Sequence, residues 1–134
     1  MTDAIRPPTA RAPECLSRLV ADAVGDGDLD AALTYYEPHA VVCLPGAPPA
    51  RGTAQITRIL RRVIDAKLAI EVRLRRVHTV GSLALLSGRW VALGATDAIP
   101  TCRAGPVRSV ARRGPEGAWR IVIEDLAEGT EPEI

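Results

Sequence analysis

Proton chemistry needs a carboxyl, an imidazole or a phenol held where water is scarce, and this chain offers few groups that could be held so. In the last predicted strand Trp119, Ile121 and Ile123 alternate on one face, and Asp125 continues their row. A carboxylate at the end of an apolar row is partly dehydrated, which moves its pKa toward the range useful for proton transfer. The opposing reading leaves Asp125 in solvent or in a turn. A register one residue different hands the same role to Glu124, because neighbouring strand residues face opposite ways. The two histidines are His39 and His78, and imidazole exchanges protons near neutral pH. His78 ends the first long strand with its face undecided. His39 follows Pro38 in a loop, where exposure is the rule. Tyr36 closes the second predicted helix on its apolar stripe, either donating into a pocket or bonded to backbone in the core.

Binding groups are equally sparse. Trp90 on the second long strand reads as a pocket wall or as core. Arg108, if inward, is a buried charge that needs Asp125 or an anionic substrate; if outward, it is one of sixteen surface arginines. Cys43 shares the face of Val41, with no cation or helix start near it in the sequence to activate the thiol. The three cysteines, Cys15, Cys43 and Cys102, are odd in number and widely spaced, which fits neither a disulfide framework nor a metal site.

The elements that must hold these groups follow from the hydrophobic pattern. Residues 1–13 contain three prolines and two arginines and read as a flexible arm. Cys15, Leu16, Leu19, Val20 and Ala23 form a helical stripe that stops at Gly25. Asp28 is placed to cap a second helix carrying Leu29, Ala32, Leu33 and Tyr36, ended by Pro38. A short strand over 40–44 precedes a proline-rich turn. Gly52 then opens a third helix, with Ile56, Ile59, Leu60, Val63 and Ile64 on its buried face. Strands are expected over 67–80, 82–93, 101–113 and 119–126. In the first of these Val77 falls out of the alternation, which predicts a bulge near Arg75–Arg76. Residues 127–134 form an acidic tail. Helices first and hairpin-linked strands last predict an α+β domain over 14–126. Its curved antiparallel (mixed) sheet would be packed on its concave side by three N-terminal helices, enclosing a pocket.

Bulk properties narrow the partners. The 134 residues suit one domain, and 17 basic against 16 acidic residues leave a net charge of +1, no footprint for nucleic acid. The runs Arg73–Arg75–Arg76 and Arg112–Arg113 lack interleaved aromatic residues and suit a solvated face or a dimer contact. No apolar run approaches a membrane span, and residues 1–14 carry no secretory pattern, so a cytoplasmic location is expected.

Four strings carry a resemblance: AVGDGDLDAALTYYEPHAVVCLPG, ARGTAQITRIL, VGSLALLSGRWVALG and GPEGAWRIVIEDL. In order and spacing, over about residues 14–126, they resemble the cone-shaped nuclear-transport-factor-two-like superfamily and its SnoaL-like branch. That superfamily includes ketosteroid isomerases, polyketide cyclases, limonene-epoxide hydrolases, scytalone dehydratases and non-catalytic members. The resemblance implies a pocket and a homodimer through the outer sheet face. The ketosteroid isomerase pattern is not met. Leu44 stands where the resemblance places the basic acid before a proline, Leu19 or Val20 where it places a tyrosine, and Arg108 near where it places a protonated acid. An Asp–Arg–Asp relay of the epoxide-hydrolase kind has no equivalent. The similarity to SnoaL-type cyclases leaves an acid–base group at Asp125 or Glu124 with His78 or Tyr36 as donor. Trp90, Arg108, Cys43, Leu44 and Val20 would surround the substrate. The expectation is a cyclase or isomerase, free of metal and cofactor, for an apolar oxygenated molecule of polyketide-like or polycyclic type. The arginine-rich composition suits antibiotic or other secondary metabolism. The alternative is a non-catalytic binding or accessory module that assists a partner enzyme.

Overall fold

A computed structural model of the protein describes residues 6–96 and 99–129. Helix α1 (Leu16–Gly25) follows a single 3-10 turn over Pro13–Cys15. It buries Leu16, Leu19, Ala23 and Val24. The following α2 (Leu29–Leu33) starts where the Asp28 carboxylate accepts from the Ala31 amide at 3.0 Å, the capping its sequence predicts. Helix α3 (Gly52–Asp65) buries Ile56 and Leu60, with Ile59, Val63 and Ile64 half-buried beside them.

The strands are β1 (Tyr36–Cys43), β2 (Ala50–Arg51), β3 (Ala69–Val80), β4 (Leu83–Thr96), β5 (Ile99–Arg113) and β6 (Trp119–Leu126). They form one six-stranded sheet in the order β2-β1-β6-β5-β4-β3. All pairs are antiparallel except β1 with β6, which is parallel, so the sheet is mixed. The α+β class, the helices-first order and the helices packed on one side of the sheet agree with the sequence reading.

One boundary differs in a way that matters. Tyr36 does not end the second helix; it begins β1, beside Ile121 of β6. Pro38 therefore lies inside a strand. It is tolerated there because the β1–β6 register shifts between Tyr36 and Val41, a stretch where the ladder does not require its missing N–H.

Two bulges set which side chains face inward. On β3 the register shifts between Leu74 and Arg76, leaving Arg75 as the extra residue. A side chain on Gly88 opposite would run into the Arg73 backbone, so glycine is required there. This is the bulge that Val77 foretold. On β6 the shift lies between the partners of Val110 and Ala111, which makes Val122 the extra residue. Trp119 and Ile121 are buried before it, whereas Glu124 and Leu126 point to the concave side after it.

The ends are more tightly held than the sequence suggests. Within the arm expected to be flexible, Ala10 and Pro13 are buried, and the Ala10 carbonyl accepts from the Trp119 amide at 2.9 Å. The Pro8 carbonyl accepts from the Tyr35 hydroxyl at 2.7 Å. In the C-terminal tail the amides of Ala127 and Gly129 donate to Pro106 and Ala104. Residues 1–5 and 130–134 of these segments lie outside the described residues.

Candidate active site

The concave face of the sheet, α1 and α3 enclose a cavity of about 70 Å³, within an envelope of about 670 Å³ that runs out through its mouth to solvent. One face of α1 presents Ser17, Val20, Ala21 and Val24 to it, at the three- and four-residue spacing that lines up side chains on a helix. Leu44 and Val42 enter from the β1 side, and Ile70, Val72, Val107 and Leu126 from the other strands. Among the described residues the lining is apolar except at Ser17, Tyr36 and Glu124.

Tyr36 and Glu124 are bonded to one another. The phenol donates to Glu124 Oε1 at 2.8 Å, from a ring that is only 7% exposed. The contact depends on both strand features described above. Starting β1 at Tyr36 aims the ring inward, and the Val122 bulge turns Glu124 to meet it. Glu124 is half-buried as a residue, while its carboxyl is enclosed. Burial pushes that carboxyl above its usual range, and the hydrogen bond from Tyr36 only partly offsets the shift. The Tyr36 phenol is pushed well above its usual value, first by burial, then by the charge of Glu124 and the bond to it. The arrangement holds a dehydrated carboxyl with one oxygen bonded and the other left for a bound molecule, in surroundings that favour proton uptake.

The other residues singled out in the sequence stand elsewhere. Asp125 does not face inward: it is exposed on the convex side, opposite Arg108 across the β5–β6 pair. The bulge at Val122 is the reason, since Asp125 keeps the side of Ile123 and loses that of Ile121. Arg108 is likewise exposed and is no pocket residue. His78 is exposed on the convex side of β3, opposite Leu85, and His39 is exposed on β1. Cys43 is a half-buried free thiol that does not line the cavity. Trp90 is buried, but it stands behind the wall, packed with Ile70, Val72 and Leu126, and its indole N–H donates to the Ala127 carbonyl at 2.7 Å. Val20 and Leu44 do line the cavity. Ser17 escaped the sequence reading, although it sits three residues before Val20 on the same helical face. Among the described residues no group of three His, Cys, Asp or Glu side chains could hold a metal ion. No described helix is long and apolar enough to cross a membrane.

A curled mixed sheet closed by helices over an apolar cavity, with a buried acid inside it, defines a class of cone-shaped pocket proteins. Residues 16–113 match the SnoaL-like domain, and the chain belongs to that family. An NTF2-like protein with a cystatin-like fold from Novosphingobium aromaticivorans is similar at a TM-score of 0.74 and 20% identity, over 84% of this chain and 77% of its own. A ketosteroid isomerase-like protein from Erwinia carotovora atroseptica is similar at a TM-score of 0.74 and 17% identity, over 89% and 94% of the two chains. A putative dehydratase from the NTF2-like family of Streptomyces avermitilis is similar at 0.73 and 17%, over 87% and 92%. At these identities the likeness concerns the fold. No curated protein matches the sequence.

Proposed function

We propose that the protein is an acid–base catalyst of the isomerase, cyclase or dehydratase kind, acting on an apolar molecule that carries an enolisable carbonyl. The observation that carries this reading is the 2.8 Å bond between Tyr36 and Glu124 inside an otherwise apolar cavity. Glu124 as carboxylate takes a proton from the carbon beside the carbonyl. That C–H bond breaks, an O–H bond forms on the glutamate, and the electron pair moves onto the substrate oxygen. A neutral Glu124 is a weaker acceptor, so the Tyr36 hydroxyl is released at that moment to donate to the oxygen that has gained charge. Glu124 then returns its proton to another carbon, giving an isomer, or to a departing hydroxyl, giving a dehydrated product.

The cavity size bears on the substrate. An apolar cavity of about 150 Å³ holds one benzene, so about 70 Å³ takes only the reacting edge of a larger molecule. A polyketide-like or polycyclic compound would keep the rest of its body at the mouth. The second reading, a non-catalytic carrier or accessory module, draws support from the uniformly apolar remainder of the lining. Under either reading we propose a homodimer through the convex face, where Leu83, Leu85 and Ile123 stand 46%, 49% and 43% exposed. Sedimentation of the parent beside Ile123→Arg checks this, with a monomeric parent the contrary result.

The test of catalysis is hydrogen–deuterium exchange beside the carbonyl of small ketones and cyclic enones in heavy water, followed by NMR. The parent should speed exchange, and Glu124→Gln should lose about 10²- to 10⁴-fold, the usual worth of a general base. Compounds that bind the parent but never exchange would move the protein to the carrier reading.

A further inference from the structure

A second concavity adjoins the cavity along the seam between α1 and β3. It is a cleft of about 420 Å³ lined by Glu14, Ser17, Arg18 and residues of β3 from Val72 to Val77. Ser17 and Val72 line both spaces, so the cleft and the cavity meet at these two side chains. Its β3 wall carries Val72, Leu74 and Val77, while Arg18, Arg75 and Arg76 bring three guanidinium groups to it against the single carboxylate of Glu14.

Two features point to an anion here. Among the described residues the ion pairs engage Arg73, Arg103 and Arg112, whereas Arg18, Arg75 and Arg76 have no carboxylate partner. The bulge at Arg75 brings two consecutive arginines to one cleft, where regular alternation would send them to opposite faces.

We propose that this cleft binds the oxyanion end of an amphiphilic substrate, a carboxylate or a phosphate ester, whose apolar end enters the Glu124 cavity. The inference rests on reading that cavity as the substrate site. Guanidinium forks suit both oxyanions. The reverse orientation would bring the anion against ionised Glu124 in apolar surroundings, where like charges repel strongly. The cleft thus sets the direction in which a substrate enters.

The test titrates the full chain with hexanoate, hexyl phosphate and hexanol, read from amide shifts by NMR. Three proteins are compared: the parent, Glu124→Gln, and a variant combining Arg18→Gln, Arg75→Gln and Arg76→Gln. The arginines are exposed, so folding should survive their replacement, and unchanged hexanol binding confirms it. In the parent, hexanoate or hexyl phosphate should bind about tenfold or more tightly than hexanol, the worth of one charge-assisted hydrogen bond. The advantage should vanish in the arginine variant and persist in Glu124→Gln. Whichever anion binds more tightly identifies the headgroup. Hexanol matching both anions in the parent, or an anion preference that survives loss of the three arginines, overturns the proposal. Turnover lost in Glu124→Gln reports on catalysis alone, so failure of the catalytic reading and failure of the cleft are told apart.

Discussion

Replacing Tyr36 by Phe keeps the ring in its place and removes only the hydroxyl that donates to Glu124 over 2.8 Å. Two forces act on the Glu124 carboxyl: burial raises its pKa, the hydrogen bond lowers it, and burial is the larger. Without the bond, burial acts unopposed, and Glu124 titrates higher in the variant than in the parent. A hydrogen bond to a charged group is worth about 1.5–3 kcal/mol and one between neutral groups about 0.5–1.5 kcal/mol. The charged form therefore loses about 1 kcal/mol more than the neutral form. Linkage fixes the pH at which this shows. A group with a folded pKa raised above the unfolded value gives its full stability below the unfolded pKa and loses it as pH climbs through the folded one. An unperturbed glutamate titrates at 4.5, so the parent loses stability above that pH, and the variant loses more and over a wider range. The gap between the two in urea unfolding should widen by about 1 kcal/mol from acid to neutral pH, roughly 4 °C in Tm for a domain of this size. Carboxyl ¹³C NMR with labelled glutamate reads the titration directly, Glu124 being the signal missing from Glu124→Gln. A Glu124 pKa that falls or stays fixed in Tyr36→Phe would refute the reasoning, because the bond could not then be stabilising the ionised form.

Other perturbations separate the site from its surroundings. Glu124→Gln should remove the loss of stability that the parent suffers as pH rises above 4.5, since the buried group no longer ionises; unfolding at several pH values checks this. Asp125→Asn, on the convex face, should leave both the Glu124 titration and any catalysed exchange unchanged. Gly88→Ala should cost about 1–3 kcal/mol in urea unfolding, because its methyl group would strike the Arg73 backbone and force the β3 bulge apart. Trp90→Phe should cost about 1 kcal/mol and loosen residues 127–129, seen as faster exchange of the Ala127 and Gly129 amides, because Nε1 holds the Ala127 carbonyl.

The two bulges explain what could be read from the residues and what could not. On β3 the strand is apolar on one side only, so Val77 breaking the alternation announces the bulge, and the faces beyond it follow. On β6 the run Ile121–Val122–Ile123 is apolar on both parities, so an extra residue within it leaves no trace in the pattern. Asp125 then inherits the row of Trp119 and Ile121 by counting alone. One signal was present: Leu126 is apolar and shares its parity with Glu124, which a strand with Asp125 inward would leave on the wet side. Tyr36 was hidden for a different reason. Pro38 is read as the stop of a helix, because the residue before a proline avoids the helical region. That rule holds here, yet the chain leaves the helix three residues earlier than the rule requires, and Tyr36 becomes a strand residue.

These two local irregularities are coupled through the site. The parallel pairing of β1 with β6 sets Tyr36 beside Ile121 and Val42 beside Glu124. In a regular ladder six residues of β1 would face six of β6, and Tyr36 would lie too far along the sheet for its hydroxyl to reach that carboxyl. Instead β1 takes up five steps between Tyr36 and Val41 while β6 takes up two between Ile121 and Ile123. The slack in β1 draws Tyr36 toward Glu124, and the slack in β6 turns Glu124 inward. Removing Val122 should therefore leave the faces as they are. Ile123 then follows Ile121 directly and keeps the convex side, while Glu124 stands two residues after Ile121 and stays in the cavity, bonded to Tyr36. The ¹³C titration of labelled glutamate decides the case, with Glu124 still the carboxyl that titrates high in the deletion variant. A Glu124 signal that falls to the ordinary glutamate range would mean that the bulged geometry itself, and not the residue count, aims Glu124 inward.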